Sequence, residues 1–168
     1  MKNYPIIFGP HGGLVAGNGF IARVTIRGRC LFEETDQDFY SVLGVNPGAV
    51  AGDGNTMGEA HHAFLERVRL IVFEIAEEAE DFESFQAQVR QFVETTNRPN
   101  EHLWDRAVEL VRAGEVDLEG VRREDADSTS WVKVDLIAAE DEAGPRPRIE
   151  PAMNEPSTHE DFQIAAGF

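Results

Sequence analysis

The chain has 168 residues, 42% of them hydrophobic, which is enough for one domain with a real core and too few for two well-packed ones. Its formal charge is −16, and because the first acid is Glu33, residues 1–32 carry +4 while the remainder carries −20; such a surface repels nucleic acid, makes direct DNA binding unexpected, and favours a basic protein partner. No apolar run nears the roughly 18 residues of a membrane span, the start MKNYPIIFGPHGG is too broken by Pro and Gly for a signal peptide, and the single cysteine, Cys30, excludes an intramolecular disulfide and a multi-cysteine zinc site. The expectation is a cytoplasmic protein with a buried Cys30, no cofactor, no metal and no membrane partner.

In chain order, the first clear pattern is at residues 20–32. Ala22, Val24, Ile26, Gly28, Cys30 and Phe32 alternate with Arg23, Thr25, Arg27 and Arg29, the period of a half-buried strand. Residues 39–45 supply its antiparallel hairpin partner through a polar turn. After the Asn46-Pro47-Gly48 turn, residues 49–51 read as a third, short strand.

Gly52-Asp53-Gly54 then looks like an exit turn before Thr56-Met57-Gly58-Glu59. No lysine follows to make it a phosphate loop, and the oxygen spacing is wrong for calcium. It fits a capping box: Thr56 accepts from the third helical amide, and Glu59 reaches back to the Thr56 amide. Losing the Thr56 cap costs about 1 kcal/mol.

Met57, Ala60, Phe64, Val68, Ile71 or Val72, Ile75 and Ala79 recur at spacings of three and four, predicting a long amphipathic helix. Phe82, Phe85, Val89 and Phe92 either continue it or restart after Glu80 and Asp81, a choice the pattern leaves open. Arg98-Pro99-Asn100 stops that run, and Asn100 caps a further helix through Leu103, Trp104, Ala107, Leu110 and Val111 that ends at Gly114. Val132, Val134 and Leu136 mark a strand over residues 130–138 that returns to the same sheet. Beyond Glu140, four prolines among acids read as a tail, although residues 160–168 are apolar enough to add as a strand on this chain or a partner.

The expected fold is therefore α+β: a small antiparallel sheet in β-β-β-α-β order, a long helix packed on one face, and a helical insertion. Residues 1–139 form a single domain, with a core of 20–79 plus 131–138 and an insertion over 81–114; residues 140–168 form a Pro-rich acidic tail.

Chemistry is sparse. His61 and His62 are adjacent, so on a helix they diverge by about 100° and cannot chelate together; a surface or boundary place is expected for them, and turn-like settings for His11 and His102. Glu77, Glu78, Glu80, Asp81 and Glu83 fan around a helix as a solvated acidic face. Arg23, Arg27 and Arg29 lie side by side, but no aromatic platform for bases stands at those positions, so an internal or partner salt bridge is favoured over nucleic acid.

The hairpin, then Val45-Asn-Pro-Gly48, then Gly54-Asn-Thr-Met-Gly-Glu-Ala60 resembles the HicB-family antitoxin domain, in which a Pro-Gly turn and a G-x-T-x-x-E-A helix entry follow two strands. Pro47, Gly48, Gly54, Thr56, Glu59 and Ala60 carry the likeness, which spans about residues 20–79 and 131–138. It implies a partial RNase-H-like fold and a non-enzymatic task, sequestering a small basic RNA-cleaving toxin, with no catalytic residues of its own. The family's terminal DNA-binding module has no counterpart in the Pro-rich acidic end. A homo-oligomer is expected, the helical insertion offering surface for it. Partner contacts are expected at Arg23, Arg27, Arg29, Glu77, Glu78, Phe162 and Phe168, with Pro47, Gly54, Thr56 and Glu59 structural. Two alternatives stand beside it: an acidic phage or mobile-element inhibitor that mimics nucleic acid, and a small enzyme that combines the three arginines with helix carboxylates.

Overall fold

The computed structural model describes residues 1–35, 38–125, 130–139 and 162–165. The fold is α+β, as the hydropathy pattern indicates. Strands β1 (Lys2–Gly17), β2 (Phe20–Glu34), β3 (Tyr40–Asn46) and β4 (Ala51–Gly54) precede three helices, α1 (Met57–Glu78), α2 (Phe82–Glu94) and α3 (Arg98–Arg112). Strands β5 (Arg123–Glu124), β6 (Trp131–Ala139) and β7 (Phe162–Ala165) complete a seven-stranded sheet in the order β4-β3-β2-β1-β7-β5, with β6 attached to β2.

β2 is the spine of that sheet. β1 pairs with it from Lys2↔Glu34 to Gly17↔Phe20. Its other edge is shared, with β3 alongside residues 29–34 and β6 alongside residues 20–27.

β1 has no place in the expected order, and the reason is physical. Pro5, Gly9, Pro10, Gly12 and Gly13 break its pattern, and its apolar run Ile6, Ile7, Phe8 is buried without alternation because both faces of the sheet are covered there. A register shift between Phe8 and His11 absorbs the irregularity. Gly9 takes φ +88° in that bulge, and a Cβ there would sit 2.4 Å from the Ile26 carbonyl oxygen, so only glycine fits.

The inner face carries Ile6, Phe8, Ala22, Val24, Cys30 and Phe32, covered by Phe64, Val68 and Val72 of α1 and by Phe85 and Val89 of α2. Phe8 meets Phe64 edge-on at 5.2 Å between centroids, and Phe20 lies 5.0 Å from Phe85. The outer face carries Ile7, Leu31 and Val45 against Trp104, Ala107 and Val108 of α3. The long helix α1 thus packs on one face as expected, while the insertion divides: α2 joins it on the inner face, and α3 covers the outer face because Trp104, Ala107 and Val108 give it an apolar stripe of its own.

The entry to α1 differs in detail from the sequence reading. β4 runs over Ala51–Gly54 rather than residues 49–51, so Gly52 and Gly54 belong to the strand. Their bare Cα atoms let α1 lie directly on it: a Cβ on Gly52 would be 2.3 Å from the Phe64 amide nitrogen. Thr56 Oγ1 accepts from the Glu59 amide at 3.1 Å, as the capping box requires. Glu59 reaches one residue further back than expected, its Oε2 accepting from the Asn55 amide at 2.8 Å.

The long apolar stripe resolves into two helices, α2 restarting with Asp81 as N-cap and its carboxylate accepting from the Ser84 amide at 2.7 Å. α1 has no basic residue in its last turn. Its open carbonyls are met from the β1–β2 turn instead, where Asn18 Nδ2 donates to Glu77 O at 3.2 Å and Ala79 O at 2.9 Å.

α3 starts three residues earlier than its pattern suggested. Asn97 is the N-cap, and Pro99 occupies the first turn, where a missing N–H leaves no bond unmade. Asn100 is released from capping and donates to Gly44 O at 2.8 Å. Finally, part of the segment read as tail joins the domain: β7 pairs antiparallel with β1, Ile6 opposite Ile164, and parallel with β5. Phe168 and residues 140–161 lie outside the described residues.

Candidate interaction surface

The outer row of β2 gives Arg23, Arg27 and Arg29 two different fates. Arg29 lies under α3. Its guanidinium donates from Nε to Asn46 Oδ1 at 2.9 Å and from Nη2 to the same oxygen, reaches Glu101 Oε1 at 3.0 Å, and sits 5.1 Å from the Trp104 ring centre. Asn46 is itself buried and donates to Thr96 Oγ1 at 2.6 Å. Arg98 adds a second bond to Glu101 at 2.7 Å. The Arg29 hydrogen bond, followed by that of Arg98, holds the Glu101 carboxyl below the usual carboxylate range. Arg29 therefore forms an internal salt bridge, with α3 and not with the carboxylates of α1 or α2.

Arg23 and Arg27 belong to the other half of β2, where no described helix covers the outer face. In the register, Arg23 stands between Leu14 of β1 and Asp135 of β6, while Arg27 stands opposite Trp131. The aromatic side chain that β2 lacks thus comes from the neighbouring strand. Leu14 is 40% exposed, Trp131 41% and Ile137 47%. Lys133 Nζ lies 3.4 Å from Asp135 Oδ2, and among the described residues Arg23, Arg27 and Lys133 outnumber that one acid on this half-face. Along β2, Arg23 and Arg29 are six residues apart, about 20 Å, and do not converge on one reacting centre.

The carboxylates form a separate region at the joint of α1 and α2. Glu77, Glu78, Glu80, Asp81 and Glu83 are exposed and, among the described residues, make no ion pair. Asp81 is occupied in capping α2. Among the described residues no three His, Cys, Asp or Glu side chains are grouped to hold a metal.

The histidine expectations need correction. His61 is fully buried, its ring 6.1 Å from that of Phe32, because it lies three and four residues before Phe64 and Leu65 on the packing stripe of α1. His62 is half-buried. His11 lies in β1 past the bulge, and His102 is exposed on α3; neither is in a turn. Cys30 is buried as expected, and burial pushes its thiol well above the ordinary range. Tyr4 donates to Glu34 Oε2 at 2.8 Å, and burial, reinforced by that carboxylate, pushes its pKa up to about 12.

The sequence pattern gives Asn46 to a turn and Trp104 to a helix stripe, and assigns none of Asn46, Glu101, Trp104 and Trp131 to a site. The Arg29–Glu101 pair joins residues 72 apart, and no local pattern encodes it. Trp131 was within reach, since it heads the outward row Trp131, Lys133, Asp135 that alternates with Val132, Val134 and Leu136. No protein-family model, curated protein or solved structure matches this chain.

Proposed function

We propose that this protein is a non-enzymatic binding module that sequesters a protein partner on the open half of its outer sheet face. The observation that carries the reading is the exposed set Leu14, Arg23, Trp131 and Lys133, a cationic row on β2 bordered by apolar side chains of β1 and β6, beside a half-face of the same sheet that α3 covers. Aromatic and aliphatic anchors of this kind dominate binding when a partner excludes water from them. The cationic row suits carboxylates on the partner's contact surface, while the chain's −16 charge draws in a partner of positive net charge from a distance. An antitoxin-like task, as the HicB resemblance implies, accords with that pairing.

A second reading, in which the basic partner docks on the α1–α2 joint, is favoured by the exposed and unbridged carboxylates there. One experiment separates the two. The tagged full chain, expressed in its native host, is compared with Leu14→Glu, Arg23→Glu and the pair Glu77→Lys, Glu78→Lys, all at matched thermal stability. The expected result is one stoichiometric protein partner, weakened ~10-fold or more by Leu14→Glu and Arg23→Glu. Loss only in the Glu77, Glu78 variant moves the site to the helix joint; no partner for the wild type overturns both readings.

A further inference from the structure

Among the described residues, β6 pairs with β2 alone, so its second edge is open along nine residues, Trp131–Ala139. Natural sheets blunt such an edge with charged side chains, proline, bulges or short length, since unpaired N–H and C=O groups are a template for another strand. β6 is long and has no proline, its register shift lies towards its C-terminal end between Leu136 and Ala138, and its two charges, one cation and one anion, can be matched by a second strand. Its sequence, Trp-Val-Lys-Val-Asp-Leu-Ile, is complementary to itself when reversed about Val134.

We infer that the open edge of β6 pairs antiparallel with β6 of a second copy of this chain, in the register that sets Val134 opposite Val134. In that register Lys133 faces Asp135 of the second copy, and the reverse, on the outer side. Trp131 comes level with Ile137, the extra residue at the register shift of β6, which adds an aromatic–branched contact at each end of the pairing. Val132 faces Leu136 on the inner side. Side chains directly opposite in an antiparallel pair share a face, so the appositions over residues 132–136 follow from the alternation seen between β2 and β6, which a register shift interrupts only between Leu136 and Ala138. The exposed Leu136 and Ile137, each 47% accessible, both gain an apolar neighbour.

A shift of two in the sum of paired residue numbers destroys this match. With Asp135 opposite Asp135, two carboxylates meet; with Lys133 opposite Lys133, two ammonium groups do. The charge pair therefore selects one register as well as a partner. Gln86 of α2 donates to Val134 O at 3.2 Å, and because a carbonyl oxygen accepts two hydrogen bonds, this contact is compatible with strand addition. Seven opposed residues span about 24 Å and bury less than the roughly 1,200 Å² at the lower end of stable interfaces, so the dimer is weak and its population depends on concentration. It joins two open half-faces into one sheet and does not depend on the partner-binding reading above.

The test is sedimentation equilibrium of the full chain over a wide concentration range, with Lys133→Asp, Asp135→Lys and the double exchange. The wild type is expected to dimerise, each single variant to associate ~10-fold more weakly or worse, since two like-charge pairs arise by symmetry, and the double exchange to recover. An equimolar mixture of the two single variants is expected to form a heterodimer. Concentration-dependent protection of β6 amides from hydrogen exchange in the wild type locates the contact independently of any variant. A wild type that stays monomeric, single variants that associate like the wild type, or β6 amides indifferent to concentration each overturns the inference. Leu14→Glu, which removes the proposed partner site, leaves the dimer unchanged.

Discussion

β2 passes through two environments in one strand. Residues 29–34 run beneath α3, and Leu31 is sealed by Trp104 and Ala107 while Arg29 is bound to Asn46 and Glu101. Residues 20–27 share the same inner core, yet their outer row is open and bordered by Leu14 and Trp131. Composition does not separate the halves, since each has arginines and a nearby tryptophan. Whether a helix arrives does: Arg29 is a structural group because α3 brings Glu101 to it, and Arg23 stays available because nothing described does the same there.

The two tryptophans offer the strongest way to break this contrast. Trp104 is 3% exposed and Trp131 41%, so Trp104→Ala should lower unfolding free energy by about 3–5 kcal/mol, while Trp131→Ala stays within about 0.5 kcal/mol of wild type; urea titration followed by circular dichroism measures both. Equal effects would mean that the halves are not distinct. Next in size is Asn46→Ala, which leaves Arg29 and Thr96 with fewer partners beneath α3 and should cost about 2 kcal/mol. On the open half, Arg23→Ala should change stability by less than about 0.5 kcal/mol.

A finer probe is Trp104→Phe. The Trp104 Nε1–H has no hydrogen-bond partner among the described residues, so removing it offsets part of the lost volume, and the net change should be within about 1 kcal/mol, far from the alanine value. Smallest is the acid dependence of Glu101. Its folded pKa lies below the unfolded value of about 4.3, so it adds stability that is complete above the unfolded pKa and is lost as pH falls through the folded one. Glu101→Gln should flatten that acid limb and leave the slope near neutral pH unchanged, as measured by denaturant unfolding across pH ~2 to ~7.

Local signals carried far into this fold, and their failures have specific causes. The alternation of residues 20–32 identified β2 with the correct inner row, and Thr56 capped α1 as its spacing required. β1 was invisible because a strand covered on both faces loses alternation, and its glycines and prolines read as turns while one of them builds a bulge. His61 was misplaced through its chemistry: adjacency to His62 suggested a polar site, whereas its position relative to Phe64 and Leu65 already put it on the buried stripe. The candidate surface was half legible. Arg23 and Arg27 were visible from β2 alone, but their division from Arg29 depends on Glu101, and their aromatic neighbour stands on a strand more than a hundred residues later.

The Asn18 contact ties two distant parts of the chain together. It fastens the tip of the first hairpin to carbonyls 59 and 61 positions further along, at a helix end that carries Glu77 and Glu78 where the backbone dipole prefers cations. The last turn of α1 therefore draws part of its hydrogen bonding from outside the helix, and the break at Ala79 that separates α1 from α2 is held by a side chain of the first hairpin.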